Sequence, residues 1–428
     1  MFHKYLFTLF KILAISTMMA GVLNCNKLAA QLLMSGSLNG HVYSIIDNEI
    51  PGAGGNDYYP PSTSEYQEWK VLINTLLNSD YALATLLANS LNYDLIKLID
   101  GSREYYILQK KDSTSIYWGT YVFNPEACRN IVIQSPHAKK DFNTGKQGVY
   151  VFNHTNALFY CLTGTNRCNH DSLSNCSGST TVCSGGVSEP YRISDVAHNE
   201  GSIFHATTES LKEFDATSVF IQFHGFTKLA TDPYVILSNG TRITPAPDYI
   251  DILSNELNIA DDTLTFEIAH LNLSWNRLLG FTNTQGRYLN SSISPCNNNA
   301  DTTIGTFIHV EQEKYRLRVD STKWDIMVNA VNNSFACPTI DISEPSTTNI
   351  FRLYPNPANQ NITIEFDNPS HESVSLYLHT LQGQCIKSIA NILSNSIEVN
   401  KAGLDSGVYI VILSSEDGIR AVGRIVFE

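Results

Sequence analysis

The chain has 428 residues, more than one ordinary domain of roughly 100–200 residues would use. Lys plus Arg number 28 and Asp plus Glu 41, a formal net charge of −13, so a nucleic-acid backbone would be repelled rather than held. Charged residues make up 16%, hydrophobic residues 43% and aromatics 10%, which excludes disorder, collagen and coiled coil as descriptions of the whole chain.

Residues 1–30 read as a secretory signal peptide. Lys4 precedes an apolar run from Tyr5 to Leu23, broken by Lys11, and small residues follow at Ala29 and Ala30. The run Val22-Leu23-Asn24-Cys25 offers a lipoprotein-type cut before Cys25 as an alternative, although Asn24 suits it poorly. No later stretch has ~18 consecutive apolar residues, so no transmembrane anchor is expected. Cleavage after Ala30 removes Cys25 and leaves eight of nine cysteines in an oxidising compartment, where pairing is the default. Cys176 and Cys183 flank a Ser/Gly/Thr loop and could close it locally, while the remaining connectivity is not fixed by the sequence. With Cys385 in the tail, seven remain in the central region; at least one is then free unless it pairs elsewhere.

Residues 31–63, rich in Gly, Ser, Asn and Pro, read as a flexible leader. Residues 64–337 read as an α/β domain. It starts with a capping box of Ser64 and Gln67 and helical spacing from Glu65 to Asp100. Ile131-Val132-Ile133, Val219-Phe220-Ile221 and Phe307-Ile308-His309-Val310 are compact apolar strands of the kind buried on both faces. Long mixed connections between them argue for a mixed central sheet covered by helices. Residues 338–349 (Pro, Ser, Thr and acids) read as a linker. Residues 350–428 alternate apolar and polar residues in short segments, as an independent all-β sandwich does.

Within that last stretch stand Leu353-Tyr354-Pro355-Asn356-Pro357-Ala358, Ile362-Thr363-Ile364, Gly383, Leu404-Asp405-Ser406-Gly407-Val408-Tyr409 and Gly423-Arg424-Ile425-Val426. This order resembles a type IX secretion C-terminal sorting domain. The resemblance implies a Gram-negative host, engagement of the type IX machinery, and a product that is released or attached at the cell surface. It implies nothing about chemistry.

Three strand ends in the middle carry the unusual side chains. The first strand runs into Ser135-Pro136-His137-Ala138-Lys139-Lys140-Asp141, the second into Gln222-Phe223-His224-Gly225, and the third into His309-Val310-Glu311-Gln312-Glu313. In open α/β sheets, sites collect at the carboxyl ends of strands. Two imidazoles and a carboxylate are what a mononuclear zinc hydrolase requires, with an open fourth position and a Glu to handle protons. Alternation places Glu311 and Glu313 on one face, so either could be the base. A His at a strand end is also commonly a hydrogen-bonded structural residue, which is the plain alternative.

Together with Asn166-Arg167, this order is similar to the N-formylglutamate amidohydrolase family and to the wider zinc carboxypeptidase-like amidohydrolases, over roughly Asn130 to Arg318. The resemblance implies a zinc-exopeptidase-like fold and one Zn2+ ion on His137, Asp141 and His224. It implies Glu311 as base, and Asn166 and Arg167 as a clamp on a substrate carboxylate. The substrate it implies is a peptide C-terminus, an N-acyl amino acid or a γ-glutamyl or cell-wall peptide. Asp141 departs from the pattern, standing four residues after the His instead of three.

Arg287, in the turn Asn283-Thr284-Gln285-Gly286-Arg287, is a candidate second anion contact, with a structural tether as the plain alternative. His198, in the polar run from Tyr191 to Asn199, reads as a substrate-orienting residue, an alternative ligand, or a capping and packing residue. His205 and Glu209 lie on a following helix. No G-x-S-x-G, G-x-G-x-x-G or Walker loop appears, so neither a serine nucleophile nor nucleotide use is supported. The competing descriptions are a non-catalytic secreted or surface-attached binding protein on the same fold and a metal-dependent phosphoesterase.

Overall fold

A computed structural model describes residues 31–337, 351–380, 385–415 and 418–428. The expected signal peptide, the expected linker and Gly383 of the tail motif lie outside the described residues. The described residues fall into two compact units, divided after Pro338.

The first unit begins with β1 (Leu32–Ser35), α1 (Leu38–Asn48), α2 (Thr63–Leu77), α3 (Tyr81–Ser90), β2 (Tyr93–Asp100), β3 (Arg103–Lys110), β4 (Thr120–Phe123) and β5 (Arg129–Ser135). It continues with α4 (Thr144–His154), β6 (Ala157–Leu162), α5 (Ile203–Phe214), β7 (Val219–Phe226), β8 (Val235–Ser238), α6 (Tyr249–Ala260) and β9 (Phe266–Ile268). Then come α7 (Thr284–Leu289), β10 (Phe307–Glu313) and α8 (Ser321–Ser334). The strands form one mixed sheet of ten, ordered β1-β2-β3-β4-β6-β5-β7-β10-β8-β9. At its centre β5, β7 and β10 run parallel, so their carboxyl ends share one edge.

Helices cover both faces, and the central strands divide their side chains between two cores. Ile131, Ile133, Ile221, Phe223, Ile308 and Val310 pack with apolar residues of α1, α4, α6 and α8. Val132, Phe220 and Phe307 pack on the other side with those of α2, α3, α5 and α7. Burial on both faces explains why these strands are unbroken apolar runs.

Two expectations are corrected. Residues 31–63 are not a flexible leader, because they hold β1, paired parallel to β2, and α1, capped by Ser37. Leu38, Val42, Ile45 and Ile46 form a helical stripe buried in the first core. The Gly-rich stretch after α1 is tied down as well: Asn169 donates to the carbonyls of Gly52 and Gly54. The helical pattern after residue 64 is also shorter than expected. The capping box is Ser62 with Glu65, and the chain passes from α2 and α3 into β2 at Tyr93.

The second unit contains β11 (Phe351–Tyr354), β12 (Asn361–Phe366), β13 (Val374–His379), β14 (Cys385–Ile392), β15 (Ser396–Asn400), β16 (Gly407–Ser415) and β17 (Gly418–Phe427). Its antiparallel sheets, β11-β12-β15 and β14-β13-β16-β17, share one core. Ile362 and Ile364 come from one sheet, and Leu376, Leu378, Val411 and Ile425 from the other. This is a small β-sandwich.

Candidate metal centre

The three parallel strands set the site. His137 follows the end of β5, His224 lies near the end of β7, and Glu311 on β10 is in register with His224. The His137 carbonyl accepts the N–H groups of Lys140 and Asp141, a tight turn that folds the Asp141 carboxylate back on the imidazole. That turn makes the four-residue spacing workable: Asp141 Oδ2 stands 3.4 Å from His137 Nδ1 and 3.8 Å from His224 Nδ1. The two Nδ1 atoms are 3.1 Å apart.

Hydrogen bonds on the far ring atoms fix the tautomers. His137 Nε2 donates to Asp195 Oδ1 at 2.8 Å, since a carboxylate only accepts. His224 Nε2 donates to Gln222 Oε1 at 2.7 Å, an oxygen that also receives the Asn283 side-chain amide. In the neutral rings both Nδ1 atoms present lone pairs to one another beside a carboxylate oxygen, with Arg167 Nη1 3.3 Å from that of His137, an arrangement that can take a cation between them. The residues present thus fit a divalent metal ion.

The electrostatics differ between the two imidazoles. Burial and the Arg167 charge push the His137 imidazole down, but Asp195 and Asp141 outweigh them and leave its pKa raised. Burial, His309 and His137 hold His224 well below its ordinary value, so it is neutral and able to ligate. Asp141 is lowered: burial opposes its charge, but His137, Arg167 and Arg318 prevail.

A second group meets the first at His224. His224, His309 and Glu311 are all buried and bring ligating atoms close together. Glu311 Oε2 and His309 Nδ1 are buried without a hydrogen-bond partner. Burial, followed by the charge of Asp141, pushes the Glu311 carboxyl well above its ordinary range. The ring of His309 stacks on His224 at 4.3 Å, and burial first, then His198 and His137, lowers its pKa to about 3. Gly280, at φ +66°, lets the 278–282 segment press on His309; a Cβ there would lie 2.8 Å from the ring. Glu313 is differently employed, capping the turn that follows β10 by accepting the Arg316 N–H at 2.7 Å.

The expected carboxylate clamp is not assembled. Asn166 accepts the N–H of Cys168. Arg287 is buried and gives its donors to Phe281 O, Ser177 Oγ, Pro295 O, Cys296 O and Asn299 Oδ1, which makes it a structural tether. Only Arg167 reaches the cavity, and its Nε and Nη2 are both held by Asp195 Oδ2, at 2.9 and 2.6 Å.

Asp195 is the residue that the sequence reading passed over. It is 1% exposed and binds His137 and His198 through Oδ1 and Arg167 through Oδ2. Burial opposes its charge, yet Arg167, His198 and His137 hold its pKa well below normal. The spacing Asp195-x-x-His198 was the available signal. His198 in turn stacks flat on Tyr191 at 3.7 Å, and the Tyr191 hydroxyl pairs with Thr282 at 2.8 Å. These contacts form part of the rim of a cavity of about 490 Å3 above the centre.

Disulfides staple that rim, and Cys176 and Cys183 each take a different partner instead of closing the loop on one another. Cys168 pairs with Cys183, Cys176 with Cys296, and Cys128 with Cys337 near the end of the unit. Cys161 is the free thiol that the odd count requires, buried in β6.

Residues 352–428 match the family model of the secretion system C-terminal sorting domain. The tail thus marks the protein for export, to be secreted or attached at the surface. No helix among the described residues is long and apolar enough to cross a membrane. No curated protein matches the chain. Among solved structures, N-formylglutamate amidohydrolase from Ralstonia eutropha JMP134 is similar with a TM-score of 0.31 and 8% identity, covering 50% of this chain and 94% of that one. So slight a likeness carries no weight for the chemistry.

Proposed function

We propose that the first unit is an exported, metal-dependent hydrolase of amide bonds, with zinc as the resident ion. The observation that carries the reading is the facing pair of His137 and His224 Nδ1 lone pairs beside Asp141, each ring fixed by an acceptor on its other nitrogen. A divalent ion held there supplies Lewis acidity toward a carbonyl and toward water.

The chain's own residues do the rest. Asp195 fixes the orientation of His137 and keeps its Nε2 protonated. Glu311, buried and with one oxygen unpartnered, takes a proton from the attacking water and returns it to the departing nitrogen. The water oxygen bonds to the carbonyl carbon, the C–N bond breaks, and an acid and an amine leave. Burial raises the Glu311 carboxyl above its ordinary range, which makes its ionised form the stronger proton acceptor.

Metal analysis of the purified full chain, with hydrolysis of a panel of peptides and acyl-amino acids, tests the reading. One zinc per chain is expected. Glu311→Gln should keep the ion and lose about 10²–10⁴-fold in rate. His137→Ala should lose the ion. A chain that binds no metal, with any hydrolysis indifferent to His137→Ala, would sink the proposal.

A further inference from the structure

We infer that the substrate is an amide whose groups next to the scissile bond are neutral and partly apolar, not one bearing a free carboxylate there. This rests on the hydrolase reading above and names the substrate class of that same site.

The cavity has the metal centre as its floor and two unlike walls. One is the disulfide-pinned segment that brings the hydroxyls of Ser179, Thr180 and Thr181; the other brings Leu278, Leu279 and Phe281. Apart from the floor, the described residues lining the cavity carry no charge other than that of Arg167. The guanidinium of Arg167 has two arms occupied by Asp195, and its remaining Nη1 lies 3.3 Å from His137 Nδ1. Any group it receives is therefore at the ligating atoms, where the scissile carbonyl must sit, and not several bonds away. A carboxylate placed further out would give up water for hydroxyls and aliphatic carbon without a counter-charge. The net charge of −13 disfavours an anion still further on approach. By contrast, an aliphatic group gains by leaving water against Leu278, Leu279 and Phe281.

The test uses the metal-loaded full chain and a panel of N-acetylated dipeptides with apolar side chains, each made as the C-terminal amide and as the free acid. The amides are expected to have at least tenfold higher kcat/KM than their acids. Leu279→Lys, which adds a counter-charge to the wall, should narrow or reverse that ratio while metal content stays unchanged. Free acids cleaved as fast as or faster than the amides by the wild type would overturn the inference and leave the hydrolase standing. A panel left untouched by a metal-loaded chain would instead bring down the hydrolase reading, and this inference with it.

Discussion

A buried carboxylate that accepts four hydrogen bonds cannot become an amide without turning a donor toward one of its partners. Asp195 takes two on each oxygen, from His137 and His198 on one and from Arg167 twice on the other. Asp195→Asn would leave either the imidazoles or the guanidinium facing an NH2 group. Because His137 would then be free to rotate, metal affinity should fall about 10–100-fold with the fold intact. Competition against a chromogenic chelator measures this, with Glu311→Gln as the control that keeps wild-type affinity. Equal affinity in Asp195→Asn would reduce Asp195 to a packing residue. Of these side chains, His137, Asp141, His224 and Glu311 were legible in the sequence because each stands at or just beyond the end of an apolar run. Asp195 was not, since it lies in an irregular segment whose only regular feature is a short turn at Val196–His198. Arg287 misled for a related reason: a guanidinium looks the same in sequence whether it awaits an anion or is saturated by carbonyls.

At the scale of elements, the central strands could be read and α1 could not. Strands buried on both faces leave an unbroken apolar signature, as in Ile131-Val132-Ile133. In α1 only four buried residues are spaced over one short helix, and the Gly- and Pro-rich flanks dilute them. The same flanks are ordered through side chains far along the chain, such as Asn169, which no local pattern reveals. Cysteine pairing was hidden likewise, since Cys176 closes on Cys296 across 120 residues rather than on its neighbour. A packed α1 makes a different prediction from a loose leader. Leu38 is fully buried, and Leu38→Ala should destabilise the first unit by about 2–5 kcal/mol. Urea unfolding measures it; a leader that packs on nothing would show no change.

For the molecule as a whole, a buried neutral histidine ties stability to pH. His205 on α5 is fully buried, its Nε2 lacks a hydrogen-bond partner, and burial, helped by the Lys70 charge, lowers its pKa to about 3. The unfolded chain titrates this group near the ordinary value of 6.5. Between those values the unfolded state takes up a proton that the folded state refuses, so folding is favoured less as pH falls. Above pH 6.5 both states are neutral and the group contributes no slope. From pH 6.5 to pH 5 the loss is about 2 kcal/mol, at ~1.4 kcal/mol per pH unit. Carboxylates held below their normal values, such as Asp195 and Asp141, add their losses only at lower pH. His205 also stands on the face of the sheet opposite α1 and contacts Gln285 and Tyr288 rather than the proposed metal ligands, so its titration can be separated from metal loading. Denaturant midpoints at pH 7.5 and pH 5 should therefore differ less in His205→Gln than in the wild type, by about that amount. Identical slopes in the two proteins would show that His205 is protonated in the folded state and that the Nε2 site has found a partner, with Glu209, whose Oε1 lies 3.7 Å away, as the group to replace next.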